Sequence, residues 1–154
     1  MSRAFVKDTD SDREVLPERS VSTHPNFVTQ RGFGQIEEQL QRLGAERAAA
    51  RAGGDTDSQA RIERDLRYWT ARRVSARLVP PARDLERVRF GMRVTLRVAD
   101  GATHAFRLVG EDEADAAQGL MSYVAPLAQS LLGRRAGEQV AFQGGEAEIE
   151  SIEP

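Results

Sequence analysis

The chain has 154 residues, a mass of 17.0 kDa, 40% apolar and 30% charged side chains, and a formal net charge of -2. That size suits one ordinary domain or two small modules and excludes a large multidomain enzyme. The absence of cysteine removes disulfide frameworks, thiolate nucleophiles and cysteine-based zinc or iron-sulfur sites. No window approaches the ~20 apolar residues of a membrane span, and residues 1–12 lack the apolar core of a signal peptide. The expectation is a soluble, cytoplasmic protein with no membrane partner.

Residues 1–28 contain Pro17, Pro25, many charges and scattered apolar side chains without a period of 2 or 3.6, the pattern of a disordered leader. From Thr29 the pattern changes, because Phe33, Ile36, Leu40 and Leu43 recur at helical spacing and continue through small Arg/Ala-rich positions to Ala52. Gly53-Gly54-Asp55-Thr56-Asp57-Ser58 then breaks the helix and supplies capping residues for the next one. Ile62, Leu66, Trp69, Arg73 and Ala76 repeat at 4, 3, 4 and 3, ending before Pro80-Pro81. Two helices of about 22 residues joined by so short a turn fold back on each other as an antiparallel coiled-coil hairpin, roughly 33 Å long.

After the prolines the period drops to 2. Val88 to Val98 reads as a first strand region, Asp100-Gly101 as a hairpin turn, and Phe106 to Val109 as its partner. Met121 to Val124 reads as a third strand, Pro126 to Leu132 as a short helix, and Val140–Phe142 with Ala147–Ile152 as a closing pair around Gly144-Gly145. The fold class is therefore α+β, with a leader over 1–28, the hairpin over 29–79, a linker over 80–87, and a small antiparallel β domain wrapped on one helix over 88–154. Charge follows this division: residues 30–78 carry 10 basic and 7 acidic side chains, residues 88–154 carry 6 and 10. With a sequence pI near 5.8 and no concentrated basic face, sequence-specific DNA binding is not expected, and a protein partner is.

A helical hairpin on a small domain is a probe or a spacer, and at this point particular motifs carry a resemblance. Thr29-Gln-Arg-Gly32, Val88-Arg-Phe-Gly91, Val109-Gly-Glu-Asp-Glu-Ala-Asp115, Ala125-Pro-Leu-Ala-Gln-Ser-Leu-Leu-Gly133 and Ala136-Gly-Glu138 together resemble the bacterial Gre transcript-cleavage factors. Arg67-Tyr-Trp-Thr-Ala-Arg-Arg73 is more similar to the GreB branch than to GreA. The resemblance implies an FKBP-like C-terminal domain and a monomeric protein that binds RNA polymerase at the rim of its secondary channel. The hairpin would pass down that channel, near nascent RNA. Its tip acids, here Asp55 and Asp57, would help to hold a magnesium ion jointly with the polymerase, so that the polymerase cleaves its own backtracked transcript. On this reading the chain is no enzyme by itself and has no cofactor of its own. Hard oxygen ligands are what such two-metal chemistry requires.

The tip departs from the family's pattern of an aspartate followed by a serine-glutamate-asparagine run: here the acids of Asp55-Thr-Asp-Ser58 are two apart. Each arm is also shorter than the family implies by roughly 8 to 10 residues, about 12 to 15 Å of reach. Alternatives therefore stand beside cleavage: a non-cleaving regulator that occupies the channel and competes with cleavage factors, or an adaptor whose hairpin docks another protein. The resemblance places rim contact at Val124, Ala125 and Pro126, where the first two replace the family's aspartate and serine.

Each of these residues also has a plain reading. Asp55 or Asp57 caps the second helix, and Pro126 is a favourable first helical residue. Arg61, Arg64, Arg67 and Arg72 read as a solvated helix face, with Arg73 at a seam position. Glu111 to Asp115 reads as a solvated acidic turn, and Trp69 as seam packing. His24 and His104 lack i, i+4 partners and are not read as metal ligands, and the few C-terminal aromatics do not suggest the pocket of a prolyl isomerase.

Overall fold

The computed structural model describes residues 15–154; the part of the expected leader that falls on 1–14 lies outside them. The remainder of that segment, 15–28, does not behave as a free leader. It runs along one side of the hairpin as a strap and ends in a short strand, β1 (Phe27–Val28). Glu18 accepts three hydrogen bonds from the Arg67 guanidinium, the shortest 2.5 Å. The Arg19 guanidinium lies 3.8 Å from the centroid of the Tyr68 ring.

The hairpin consists of α1 (Gln30–Ala52) and α2 (Thr56–Ser75). Each starts where a side chain can satisfy a free N–H group: Thr29 accepts from the Gly32 amide at 2.9 Å, and Asp55 from the Ser58 amide at 3.0 Å. Gly54 makes the tip with φ +67°, a conformation that side-chain-bearing residues resist. Ile36 and Leu43, one heptad apart, are the buried apolar side chains of α1. Ion pairs Arg51–Glu63 near the tip (3.3 Å) and Glu37–Arg73 near the base (3.2 Å) fit an antiparallel register. Arg73, expected at the seam, is exposed: its guanidinium reaches over the seam's edge to pair with Glu37 and sits 5.7 Å from the Phe33 ring.

Past α2 the chain forms β2 (Arg77–Leu78), which pairs in parallel with β1. The globular part is a five-stranded sheet of β3 (Arg93–Val98), β4 (Thr103–Val109), β5 (Leu120–Ser122), β6 (Gln139–Phe142) and β7 (Gly145–Glu153), in the order β5-β4-β3-β7-β6. One helix, α3 (Pro126–Leu131), supplies Ala128 and Leu131 to the core. The expected antiparallel sheet is corrected to a mixed one, because β5 runs parallel to β4. The acidic loop after β4 and a 3-10 turn at Ala116–Gln118 carry the chain back before β5 begins, so the strand re-enters in the direction of β4. The first strand also starts later than the alternation suggests. Gly91 adopts φ +87°, so Val88 is buried through contact with the end of α3 instead, exchanging hydrogen bonds with Gly133 and Arg134 at 2.8 Å each.

The core of ten buried residues, among them Val94, Leu96, Leu108, Leu131 and Ile149, comes entirely from the β domain. β1 is fastened to that domain at Gly110, where any Cβ would collide with the Phe27 carbonyl oxygen. Phe27 also packs on Phe90 and Tyr123 (centroids 6.1 and 5.4 Å), and the Tyr123 hydroxyl donates to the Pro25 carbonyl. Substituting Gly110→Ala therefore lowers stability by about 1–3 kcal/mol, the usual cost of overpacking. Gly34→Ala, a helical position with open space around it, raises stability by about 0.5–1 kcal/mol. Urea denaturation of the two variants checks both signs.

Candidate functional site

Asp55 and Asp57 stand at the end of the hairpin farthest from the β domain, one as the N-cap of α2 and the other in its first turn, and both are exposed. Hydrogen bonds from the Ser58 side chain and amide, with Arg61 close by, hold the Asp55 carboxyl below its ordinary value of 3.8. It is ionised at neutral pH. Capping uses Asp55 Oδ1; the rest of the two carboxylates faces solvent as hard oxygen donors, which fit magnesium. Among the described residues no group of three or more His, Asp or Glu side chains gathers into a metal site. Two carboxylates alone make an incomplete ligand set, so a metal held here would take its other ligands from a second molecule.

Val124, Ala125 and Pro126 lie in the β domain, leading into α3 and directly after Tyr123, which packs on Phe27 of the strap. Ala125 precedes the helix without a side-chain cap and Pro126 occupies its first turn. Pro126 is exposed, whereas Ala125 packs on the β-domain core. The geometry around them is held by Gln129, whose side-chain amide donates to the Tyr123 carbonyl at 2.7 Å, and by the Ala125 amide on the Ser122 carbonyl at 3.0 Å. Asp55 and Asp57 thus stand on the hairpin and residues 124–126 on the β domain, and their relation depends on what joins the two.

That junction is polar, and it corrects two expectations. Arg72, expected on a solvated face, is the one buried side chain of α2, at 1% exposure. Glu111 to Asp115, expected as a solvated turn, holds it. The Arg72 guanidinium donates to Asp112 Oδ2 at 2.5 Å and to Asn26 Oδ1 at 2.7 Å, with Glu111 Oε2 at 3.6 Å. Asn26 returns a bond to the Arg72 carbonyl at 2.7 Å, and the Tyr68 hydroxyl donates to Asp112 Oδ1 at 2.5 Å. On the other arm, buried Glu113 accepts from the Thr29 hydroxyl at 2.6 Å. Gly32 leaves room for that carboxylate, since a Cβ there would lie 2.7 Å from Glu113 Oε2. Trp69, half-buried, lines a cavity of about 330 Å³ with Ile36 and Glu113 at this junction.

The described residues therefore form a helical hairpin with an exposed acid pair at its end, carried on a small β domain. Residues 82–154 match the family model described as transcription elongation factor, GreA/GreB, C-term. The transcription elongation factor GreA of Alkalilimnicola ehrlichii is 34% identical over 149 residues, covering 82% of this chain and 94% of that protein. GreB of Neisseria meningitidis is 36% identical over 95 residues, covering 59% and 58%. Among solved structures, GreA factor homolog 1 (Gfh1) of Thermus thermophilus is similar at 19% identity and a TM-score of 0.42, over 85% of this chain and 100% of that one. The GreA/GreB factor of Nitrosomonas europaea is similar at 19% and 0.41, over 83% and 98%. The chain belongs to the GreA/GreB family of transcription elongation factors. No described helix is long and apolar enough to cross a membrane.

Burial, and then the bond to Asp112, push the Tyr68 hydroxyl from 10.0 up to about 12. Because the folded value is the higher one, the stabilisation is complete below pH 10 and is lost as pH rises through 12. Alkaline titration followed by phenolate absorbance checks this: Tyr123 is also raised by burial, and Tyr68→Phe removes the step near 12 while the Tyr123 step remains.

Proposed function

We propose that this elongation factor binds RNA polymerase through its β domain, enters the secondary channel with its hairpin, and stimulates the polymerase's own cleavage of backtracked RNA. The observation that carries the reading is the placement of Asp55 and Asp57, exposed and at the far end of a hairpin anchored at its base. Their carboxylates would help to hold a magnesium ion jointly with the polymerase, where it would supply Lewis-acid activation of the hydrolytic water. The chain's own residues do the rest: α1 and α2 set the reach, Gly54 turns the tip, and Asp55 keeps α2 wound up to its first residue. The chain has no catalytic activity alone, since its acids become part of an active site only in the complex. Val124, Ala125 and Pro126 form the rim contact, with Pro126 as its exposed centre.

A second reading has its own observation. The arms span 23 and 20 residues. The match to the Alkalilimnicola protein covers 149 residues yet takes up only 82% of this 154-residue chain, so the relative carries positions inside the match that this chain lacks. On this second reading the deficit falls in the hairpin, and the factor fills the channel and competes with cleavage factors without cleaving.

A cleavage assay on stalled, backtracked elongation complexes separates the readings. Under the first, the factor shortens the RNA, and the double substitution Asp55→Asn/Asp57→Asn slows shortening by at least about 10-fold, the scale on which even indirect metal partners act, with polymerase binding retained. Binding without shortening supports the second. In a separate affinity measurement, Pro126→Asp weakens polymerase binding by about 10-fold, equivalent to ~1.4 kcal/mol at the interface. Unchanged affinity refutes the rim assignment.

A further inference from the structure

The hairpin contributes no residue to the ten-residue core of the β domain, and the partly buried side chains packed around that core are all from the β domain as well. No shared apolar core therefore dictates the angle between hairpin and domain. Apart from the packing of Phe27 on Phe90 and Tyr123, what crosses the junction are hydrogen bonds and ion pairs to the segment 111–118. Asp112 takes α2 through Tyr68 and Arg72, and Glu113 takes α1 through Thr29, the residue that also caps that helix. The strap closes the arrangement from a third side, since Asn26 grips Arg72 next to β1, which Gly110 and Tyr123 fasten to the domain.

From this arrangement we propose that Arg72 is a positioning residue: acting through Asp112 and Asn26, it fixes the direction of the hairpin relative to the β domain and so determines where the tip acids arrive. The functional part of this inference rests on the proposed delivery of Asp55 and Asp57 into the polymerase. α1 has 23 residues, a lever of about 35 Å, so a swing of about 10° at its base moves the tip by roughly 6 Å. Displacements of about 1 Å already cost large factors in rate where groups must be aligned. A shortened hairpin has no surplus length with which to absorb such an error. Two separate grips, one on each arm, hold the direction better than one, because a single contact leaves a rotation free.

The chain has no cysteine, so spin labels can be placed cleanly on the full-length protein at Ala48→Cys on the hairpin and Ala141→Cys on the edge of the sheet, both exposed. Pulsed dipolar spectroscopy then reads the distribution of hairpin-to-domain distances in the free factor. The parent gives a narrow distribution. Arg72→Met, which retains the length of the side chain and removes its bonds, broadens it by at least about twofold, as expected when a packed element is freed to move as a body. Should Arg72→Met fail to fold, Asp112→Asn, at a more exposed partner, decides the matter by the same measurement. With polymerase, the variants retain affinity within about threefold while cleavage stimulation at saturating factor falls by about 10-fold or more, a loss expressed only in the reacting complex. An unchanged distance distribution in a folded variant overturns the proposal, as does a broadened one with undiminished cleavage. A parent that binds but never cleaves would instead overturn the cleavage reading, and the distances in the free factor would still decide whether Arg72 fixes the hairpin.

Discussion

The guanidinium of Arg72 is the one charge in the hairpin that has been taken fully out of water, and the arrangement of the two halves of the molecule depends on it. A buried charge is tolerated only when it is paired and its donors are used. Here Asp112 and Asn26 accept from it directly, and the Glu111 carboxylate adds its field at 3.6 Å. Those three partners belong to two different segments, the loop after β4 and the strap before α1. Burial of Arg72 therefore cannot be satisfied unless hairpin, strap and β domain meet in one geometry. A hydrophobic contact of the same size would be less demanding about direction, because dispersion and water exclusion are not directional. The other charged contacts along the hairpin, such as Arg42–Glu46 and Arg51–Glu63, are exposed and contribute little to stability.

Most of the local structure was legible in the residues. Helical spacing from Phe33 to Leu43 and from Ile62 to Ala76 located both arms, and Thr29 and Asp55 are the caps that their residue types suggest. Alternation and the glycine turns located the strands of the β domain, apart from Val88–Phe90. What could not be read was the junction. Arg72 is adjacent to the seam residue Arg73 and looks like any other arginine on a charged helix, and its partner Asp112 is 40 residues away in another domain. The acidic stretch 111–115 is solvated by default, and only the position of the hairpin base makes it a socket. The parallel pairing of β5 escaped for a similar reason, since strand direction depends on the path of the intervening loop. One available signal was Thr29-Gln-Arg-Gly32: a capping threonine followed by a glycine in the first turn marks a place where something approaches closely, and that is Glu113.

The tip and the base have complementary chemistry. At the tip the acids are exposed and have few partners, which leaves their oxygens available to a metal ion, and the capping role of Asp55 is compatible with that because a carboxylate has more lone pairs than a single amide uses. At the base the acids are buried or half-buried and committed to Arg72, Tyr68 and Thr29. One class of side chain thus occurs in two settings: acids tied down at the base of the hairpin, and acids exposed to solvent at its tip. Reach and angle together determine where Asp55 and Asp57 stand, so arms of 23 and 20 residues place the acids only as well as the junction holds their direction.

The most direct test of this account locates the tip in the complex. An iron chelate tethered at Gly53→Cys, next to the acids, generates radicals that cut whatever lies within reach when the factor is bound to a backtracked elongation complex. The account predicts cuts in the polymerase segments around the catalytic magnesium and at the 3′ end of the RNA. Cuts confined to the outer part of the channel, with the factor bound, would contradict it and show that the acids never arrive.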